Sequence, residues 1–370
     1  MIVPITGRQL ILPEGPIFNL QRADQSDHIV GEFRSWAGYK NFGADSATNG
    51  LVHFQHVLSF SGSETTGRTG IHGHFAHAHI VIPTSGRAVF SYDGVITRAE
   101  PGNVIVQHGG TIHDQFEYTY AAALDTDNRK TPLTIEPIST DAQNSSFGFL
   151  EFFVPLNFAN VEIIPPKKVC EADQRTAWDH PYHAEGANFS VQYANSPDAS
   201  YRAVVGRNDL EARDAQTWQP TGGLVATWII RPISEARPKS PAVSLGIRGE
   251  RGGIDVLHML NGSAEFVIEG GQKIALEAGD TLTHSHGIVG DPIDYSSEMR
   301  LIRFSVAAKA ALLRERTPEE IKQLEDLGPR IITRKEVRPI GDTRPINFLR
   351  EDRIAQLRSV AGTVGAKQRC

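Results

Sequence analysis

Leu51–Phe60 (LVHFQHVLSF), Phe147–Val154 (FGFLEFFV) and Leu224–Ile230 (LVATWII) concentrate β-branched and aromatic residues between bounds of Gly, Ser, Asn or Pro. Runs of this length and composition are buried strands. Around Ser91-Tyr-Asp-Gly and Glu269-Gly-Gly, glycine separates two strand-like runs, which predicts hairpins. The 34 Gly and 21 Pro, about 15% of 370 residues, suit many short strands and stay below the low-complexity range. Helix signals are confined to the end of the chain. Ala307–Arg314 is rich in Ala and Leu, and Thr317-Pro-Glu-Glu offers Thr317 as N-cap, Pro318 at N1 and Glu320 as capping-box partner. That helix is expected to stop near Gly328-Pro329. An all-β chain with room for two domains follows.

Composition removes several classes. No run of 18 apolar residues predicts a membrane span, and Met1-Ile-Val-Pro-Ile-Thr-Gly-Arg lacks the basic-then-apolar order of a secretory leader. Two cysteines, Cys170 and Cys370, cannot build a disulfide framework, so a reducing cytoplasm is expected and Cys170 reads as structural. A net charge of −6 gives no general attraction to nucleic acid. The charge is uneven: Pro329–Cys370 carries ten Lys/Arg against four Asp/Glu, scattered as in an arm laid over an acidic body or a neighbouring subunit. G-x-S-x-G, Walker-type and dinucleotide-binding glycine motifs are all missing.

Six of fourteen histidines fall between positions 72 and 113: His72, His74, His77, His79, His108 and His113. Alternate strand residues share a face, which groups His72 with His74. A bend near Phe75–Ala78 would return His79 to that face, and His113, beyond a hairpin, would close the set from a neighbouring strand. Three or four imidazoles hold a divalent Fe, Zn, Ni or Cu ion without a carboxylate. His77 shares the parity of His79 and is the alternative fourth ligand. His108 reads as structural.

The pattern His72-x-His74-x4-His79-x6-Gly86, then Gly102-x5-His108-x-Gly110-x2-His113-x3-Glu117, resembles the two motifs of the cupin superfamily. His79 stands at the family's glutamate position, His108 at its proline and Glu117 at its asparagine; Gly67 is one residue too close. A second copy, Asp255-x6-Gly262 and Gly279-x5-Ser285-x-Gly287, keeps the turn glycines but has Arg248, Glu250 and Gly290 at the histidine positions. His258, His284 and His286 lie near it but off those positions. The resemblance implies two double-stranded β-helix (jelly-roll) barrels: an N-terminal cupin with metal over 1–156, a connecting segment over 157–221 and a C-terminal cupin without ligands over 222–306. Helices and a basic arm over 307–370 complete the chain. Internal duplication is the strongest architectural signal.

The resemblance further implies a metal-dependent dioxygenase of the ring-cleaving or carbon–carbon-cleaving kind. Fe(II) is the expected cofactor, with Mn, Ni and Zn as alternatives, and O2 and a small anionic aromatic or dicarbonyl compound the partners. Four neutral imidazoles would leave the full charge of the ion on the site, favouring phenolate, enolate or carboxylate ligands. His56 (if the face Val52, Phe54, His56, Leu58 lines the barrel), Gln115 and Glu117 (by period-2 alternation from His113) are the candidate catalytic or supporting groups. The rival readings are a non-redox metal cupin (isomerase, lyase or decarboxylase) and a cupin that only binds a ligand or serves a larger enzyme. Homo-oligomers are expected, with Gln9–Pro13 and the basic tail as arms covering sheet edges.

Overall fold

The computed structural model describes residues 13–30, 37–59, 72–73, 76–92, 95–107, 112–118, 146–154, 161–162, 189–233, 253–308 and 310. The first half contributes β1 (Phe18–Gln21), β2 (Ile29–Val30), β3 (Ala37–Asn41), the short helix α1 (Ala44–Ala47), β4 (His53–Ser59), β5 (His72–Gly73) and β6 (Ala78–Ser85). It continues with β7 (Ala88–Tyr92), β8 (Val95–Ala99), β9 (Val104–Gln107), β10 (Ile112–Tyr118), β11 (Gly148–Val154) and β12 (Val161–Glu162). The second half adds β13 (Phe189–Gln192), β14 (Arg202–Ala203), β15 (Leu210–Asp214), β16 (Val225–Pro232) and β17 (Ile254–Asn261). Then come β18 (Ser263–Ile268), β19 (Lys273–Glu277), β20 (Thr281–Ser285), β21 (Val289–Tyr295) and β22 (Arg300–Val306). The three predicted strands are β4, β11 and β16, and the two predicted hairpins join β7 to β8 and β18 to β19. The expected C-terminal helix, the basic tail, Gln9–Leu12, His108 and Cys170 lie outside the described residues.

Strand order shows the same barrel built twice. One seven-stranded sheet runs β13-β9-β6-β11-β4-β3-β2 and the other β1-β20-β17-β22-β16-β15-β14. Each position of the first has its counterpart in the second, and each sheet is faced by a smaller one, β12-β5-β10-β7-β8 and β19-β18-β21. The architecture is all-β, two jelly-roll-like barrels of the same strand order. No helix among the described residues is long and apolar enough to cross a membrane.

The duplication reaches beyond the motifs. Phe18-Asn-Leu-Gln-Arg-Ala23 and Phe189-Ser-Val-Gln-Tyr-Ala194 contain the edge strands β1 and β13, and each edge strand pairs with the barrel of the other half. Both are pinned alike: Asp280 Oδ1 accepts from the Ala23 amide at 2.9 Å, and Asn103 Oδ1 accepts from the Ala194 amide at 3.0 Å. Gly279, at φ 88°, leaves no room for a side chain there, since a Cβ would stand 2.8 Å from that of Ala23. A second pair, Thr48-Asn-Gly-Leu-Val52 and Thr221-Gly-Gly-Leu-Val225, turns the chain into β4 and β16. Each Thr hydroxyl accepts from the amide of its Val, at 2.9 and 3.0 Å. An N-terminal strand, β1, thus covers a sheet edge of its own chain. Strands β13, β14 and β15 lie within the span read from sequence as a connection.

The large sheets are buried on both faces. One face of each lines its own barrel; the other packs against its counterpart through a shared core that includes Phe54, Ile80, Phe152, Val256, Ile302 and Phe304. Phe152 and Phe304 hold equivalent places in β11 and β22 and stack on one another at 4.1 Å and 9°. A contact between equivalent residues is the signature of a two-fold relation between the barrels.

Candidate metal centre

The interior of the N-terminal barrel changes from apolar to polar along its strands. Val57, Val81, Phe90, Ile105, Phe147 and Phe149 fill one end. Directly opposed residues of antiparallel strands share a face, and the next rows read Ile105–Val81–Glu151–Gln55 and Gln107–His79–Phe153–His53 across β9, β6, β11 and β4. From the facing sheet, β10 brings His113 opposite Tyr92 and Gln115 opposite Phe90. His79, His113, Gln115, Gln55 and Glu151 are all buried.

His79 and His113 face each other with ring centroids 6.4 Å apart. Two imidazoles sharing one ion through bonds of about 2.1 Å have centroids about 5.3 Å apart in tetrahedral geometry and about 6.5 Å apart only on opposite sides of the ion, so this separation suits a trans pair. His72 is the direct cross-strand partner of His113 in β5, so its backbone stands in the register that a shared ion requires. His74 lies outside the described residues. Among those described, no three His, Cys, Asp or Glu side chains form a closed metal site. His77 precedes β6 and is half-buried, whereas His79 is inside the strand and stacked on Phe153 at 4.1 Å and 14°.

The main feature that sequence reasoning missed is a carboxylate. Glu151 Oε1 stands 3.3 Å from His79 Nε2, and its Oε2 accepts from Gln55 Nε2 at 2.7 Å. The contact is one of charge proximity, with the Glu151 carboxylate beside the His79 ring. The expectation of uncompensated ion charge did not include this carboxylate, which stands beside the position where His79 replaces the motif's glutamate. The remaining residues fit a divalent cation, with neutral nitrogen donors inside an apolar wall and one carboxylate behind them. Tyr92 adds a buried phenol 5.7 Å from the His113 ring; burial, and then the Glu151 carboxylate, hold its pKa well above the ordinary 10.

The structure places His56 outside the site and a backbone irregularity before Glu117. Val52 and Phe54 belong to the core between the barrels while Val57 lines the barrel interior, so His56 is on the face turned away from His79. There its Nε2 meets Thr84 Oγ1 at 3.0 Å and its Nδ1 meets His28 Nε2 at 2.9 Å. On β10 the register shifts between Gln115 and Glu117, which pairs Glu117 with Val89 next to Phe90. A bulge of this kind ends the period-2 alternation that had joined Glu117 to His113.

In the C-terminal barrel the same positions carry inverted charge. Asp255 takes the place of His79, and Arg303, which takes that of Glu151, donates to Asp255 Oδ2 at 2.8 Å. Asp255 also accepts from the Ser305 hydroxyl and stands 3.4 Å from His286 Nε2. The guanidinium occupies the role a cation would play, consistent with the missing ligand histidines.

No family model matches the sequence, and no curated protein does. Similar solved structures include HEPD of Streptomyces albus with 2-hydroxyethylphosphonate and Fe(II) bound, at 11% identity and TM-score 0.48, covering 83% of this chain and 78% of that one. Ylba of E. coli is similar at 10% identity and TM-score 0.46, covering 81% and 95%. The 11S globulin of Wrightia tinctoria is similar at 7% and 0.47, covering 78% and 83%. The duplicated double-barrel fold stands on the chain's own strand order.

Proposed function

We propose that this bicupin is a metal-dependent dioxygenase whose N-terminal barrel holds Fe(II) and cleaves a small anionic aromatic or enolisable substrate with O2. The observation that carries the reading is the approach of His79 and His113 inside that barrel, with His72 in register beside His113. His72, His74, His79 and His113 are the proposed ligands. Bound Fe(II) would supply Lewis acidity toward a phenolate or enolate oxygen and one-electron chemistry toward O2. The chain's own groups do the rest. Glu151, hydrogen-bonded to Gln55 and 3.3 Å from His79, would lower the net charge of the loaded site to one at which a monoanion still binds favourably. Phe90, Phe149 and Phe153 exclude water around the donors, which strengthens each electrostatic contact. Gln115, buried on the His113 face, is the proposed polar contact for the substrate.

Metal analysis of the protein as purified, then anaerobic loading with Fe(II) and an oxygen electrode with catechols, hydroquinones, gentisate and diketones, tests this. Uptake of O2 with one of these substrates, lost in His113→Ala together with bound metal (affinity down by more than about 100-fold), is the expected result. Equal turnover with Zn or Mn in the absence of O2 would replace the dioxygenase by a non-redox cupin. Unchanged metal content in His113→Ala would remove that residue from the ligand set.

A further inference from the structure

We propose that the Tyr92 hydroxyl is the hydrogen-bond donor that receives the anionic oxygen of a small phenolate, enolate or carboxylate ligand beside the histidines of the N-terminal barrel. The inference rests on the metal-site reading above and names a binding residue that the motifs do not contain. Tyr92 ends β7 directly opposite His113, and their rings are 5.7 Å apart. Its ring is fixed: it stacks on Phe90 at 5.4 Å and 5° and packs against Phe189 of the exchanged strand β13 at 4.9 Å. The residue has no exposed surface, and its hydroxyl meets no hydrogen-bond partner among the described residues. Most buried hydroxyls are paired, because desolvating one without a partner is unfavourable. A rigid phenol held on the same face as a candidate ligand is therefore aimed at something the site receives.

What it receives follows from its chemistry. A phenol below its pKa is an O–H donor and prefers a charged acceptor, toward which its hydrogen bond is strongest. The bonds available to Glu151 point elsewhere, to Gln55 and His79. An anionic oxygen resting between the cation and the phenol satisfies both at once. The exchanged strand β13 thereby takes part in the site, since Phe189 is one wall of the slot that orients Tyr92.

The test is Tyr92→Phe in the full chain, which keeps the ring and removes only the oxygen. Fe(II) stoichiometry and affinity are measured first, then anaerobic binding of 4-nitrocatechol by its absorbance change, then thermal unfolding of the ligand-free protein. The expected result is unchanged Fe(II) binding, 4-nitrocatechol affinity roughly 10- to 100-fold lower, and a melting temperature equal to or above wild type. Affinity for 4-nitrocatechol within two-fold of wild type would overturn the assignment. Loss of Fe(II) in the variant would make Tyr92 a metal ligand instead, and a clearly lower melting temperature would give the hydroxyl a structural partner; either outcome overturns it. Wild type that takes up Fe(II) but not 4-nitrocatechol overturns the anion, whereas wild type that takes up no metal defeats the underlying metal-site reading.

Discussion

Glu151 shows how one side chain changes the electrostatics of a site. It is the lone charge in FGFLEFFV, and a carboxylate inside an apolar strand is kept buried only by partners. Here the partners are Gln55 and His79. Glu151→Gln keeps the shape and removes the charge, so Fe(II) affinity is expected to fall about 10- to 100-fold, read by competitive metal titration. Equal affinity in the variant would show that the carboxylate contributes nothing to the ion. The approach of His79 and His113 was legible from spacing, because imidazoles recurring at strand period are rare. Which face of β4 lines the barrel was not legible: β4 is buried on both faces, so hydrophobicity gives no contrast between His56 and its neighbours Gln55 and Val57. The bulge in β10 was equally silent, since one extra residue leaves no mark in composition.

At the level of elements, the barrels differ at equivalent positions. The N-terminal barrel brings the His79 and His113 rings to 6.4 Å; the C-terminal barrel sets the Arg303 guanidinium against Asp255. Asp255 is buried, and Arg303 is the first cause holding its carboxyl far below the usual range against the opposing effect of burial. Arg303→Met would strand that charge, with an expected loss of about 3–5 kcal/mol in unfolding free energy. Asp255→Asn combined with Arg303→Met should recover most of it, because a neutral pair needs no counter-ion. Denaturant titration of the three variants checks this, and additive losses in the double variant would refute the pairing. The inversion was half visible in sequence, where Asp255 stands at the motif's carboxylate position. Its partner lies 48 residues away on β22, a distance only pairing closes. The edge-strand exchange was also written in the chain, as Phe18–Ala23 repeated in Phe189–Ala194, but six residues of mixed polarity stand out only once their equivalent places are known.

For the whole molecule, the core between the barrels carries the cooperativity, and it contains titratable groups. His258 lies in it, with its ring 4.4 Å from Phe42 and 5.3 Å from Phe54 and its Nδ1 2.8 Å from Thr281 Oγ1. Burial, with Lys40 acting in the same direction, pushes its pKa down to about 3. Burial likewise lowers His56 on the same side of β4, with His28, His258 and Lys40 adding to the effect. Above about pH 6.5 both folded and unfolded chains hold these rings neutral. Below it the unfolded chain takes up protons that the folded one refuses, so stability falls steadily as pH drops from about 6.5 toward 3. Each such histidine contributes up to about 1.4 kcal/mol per pH unit in that window. Urea midpoints measured between pH 7.5 and 5, above the range where carboxylates titrate, should therefore decline with acid. In His258→Gln, whose amide still reaches Thr281, the slope should shrink by close to one proton while His56 and the similarly lowered His284 keep the remainder. Wild-type and variant lines that run parallel would show that His258 is protonated without disturbing the join between the barrels.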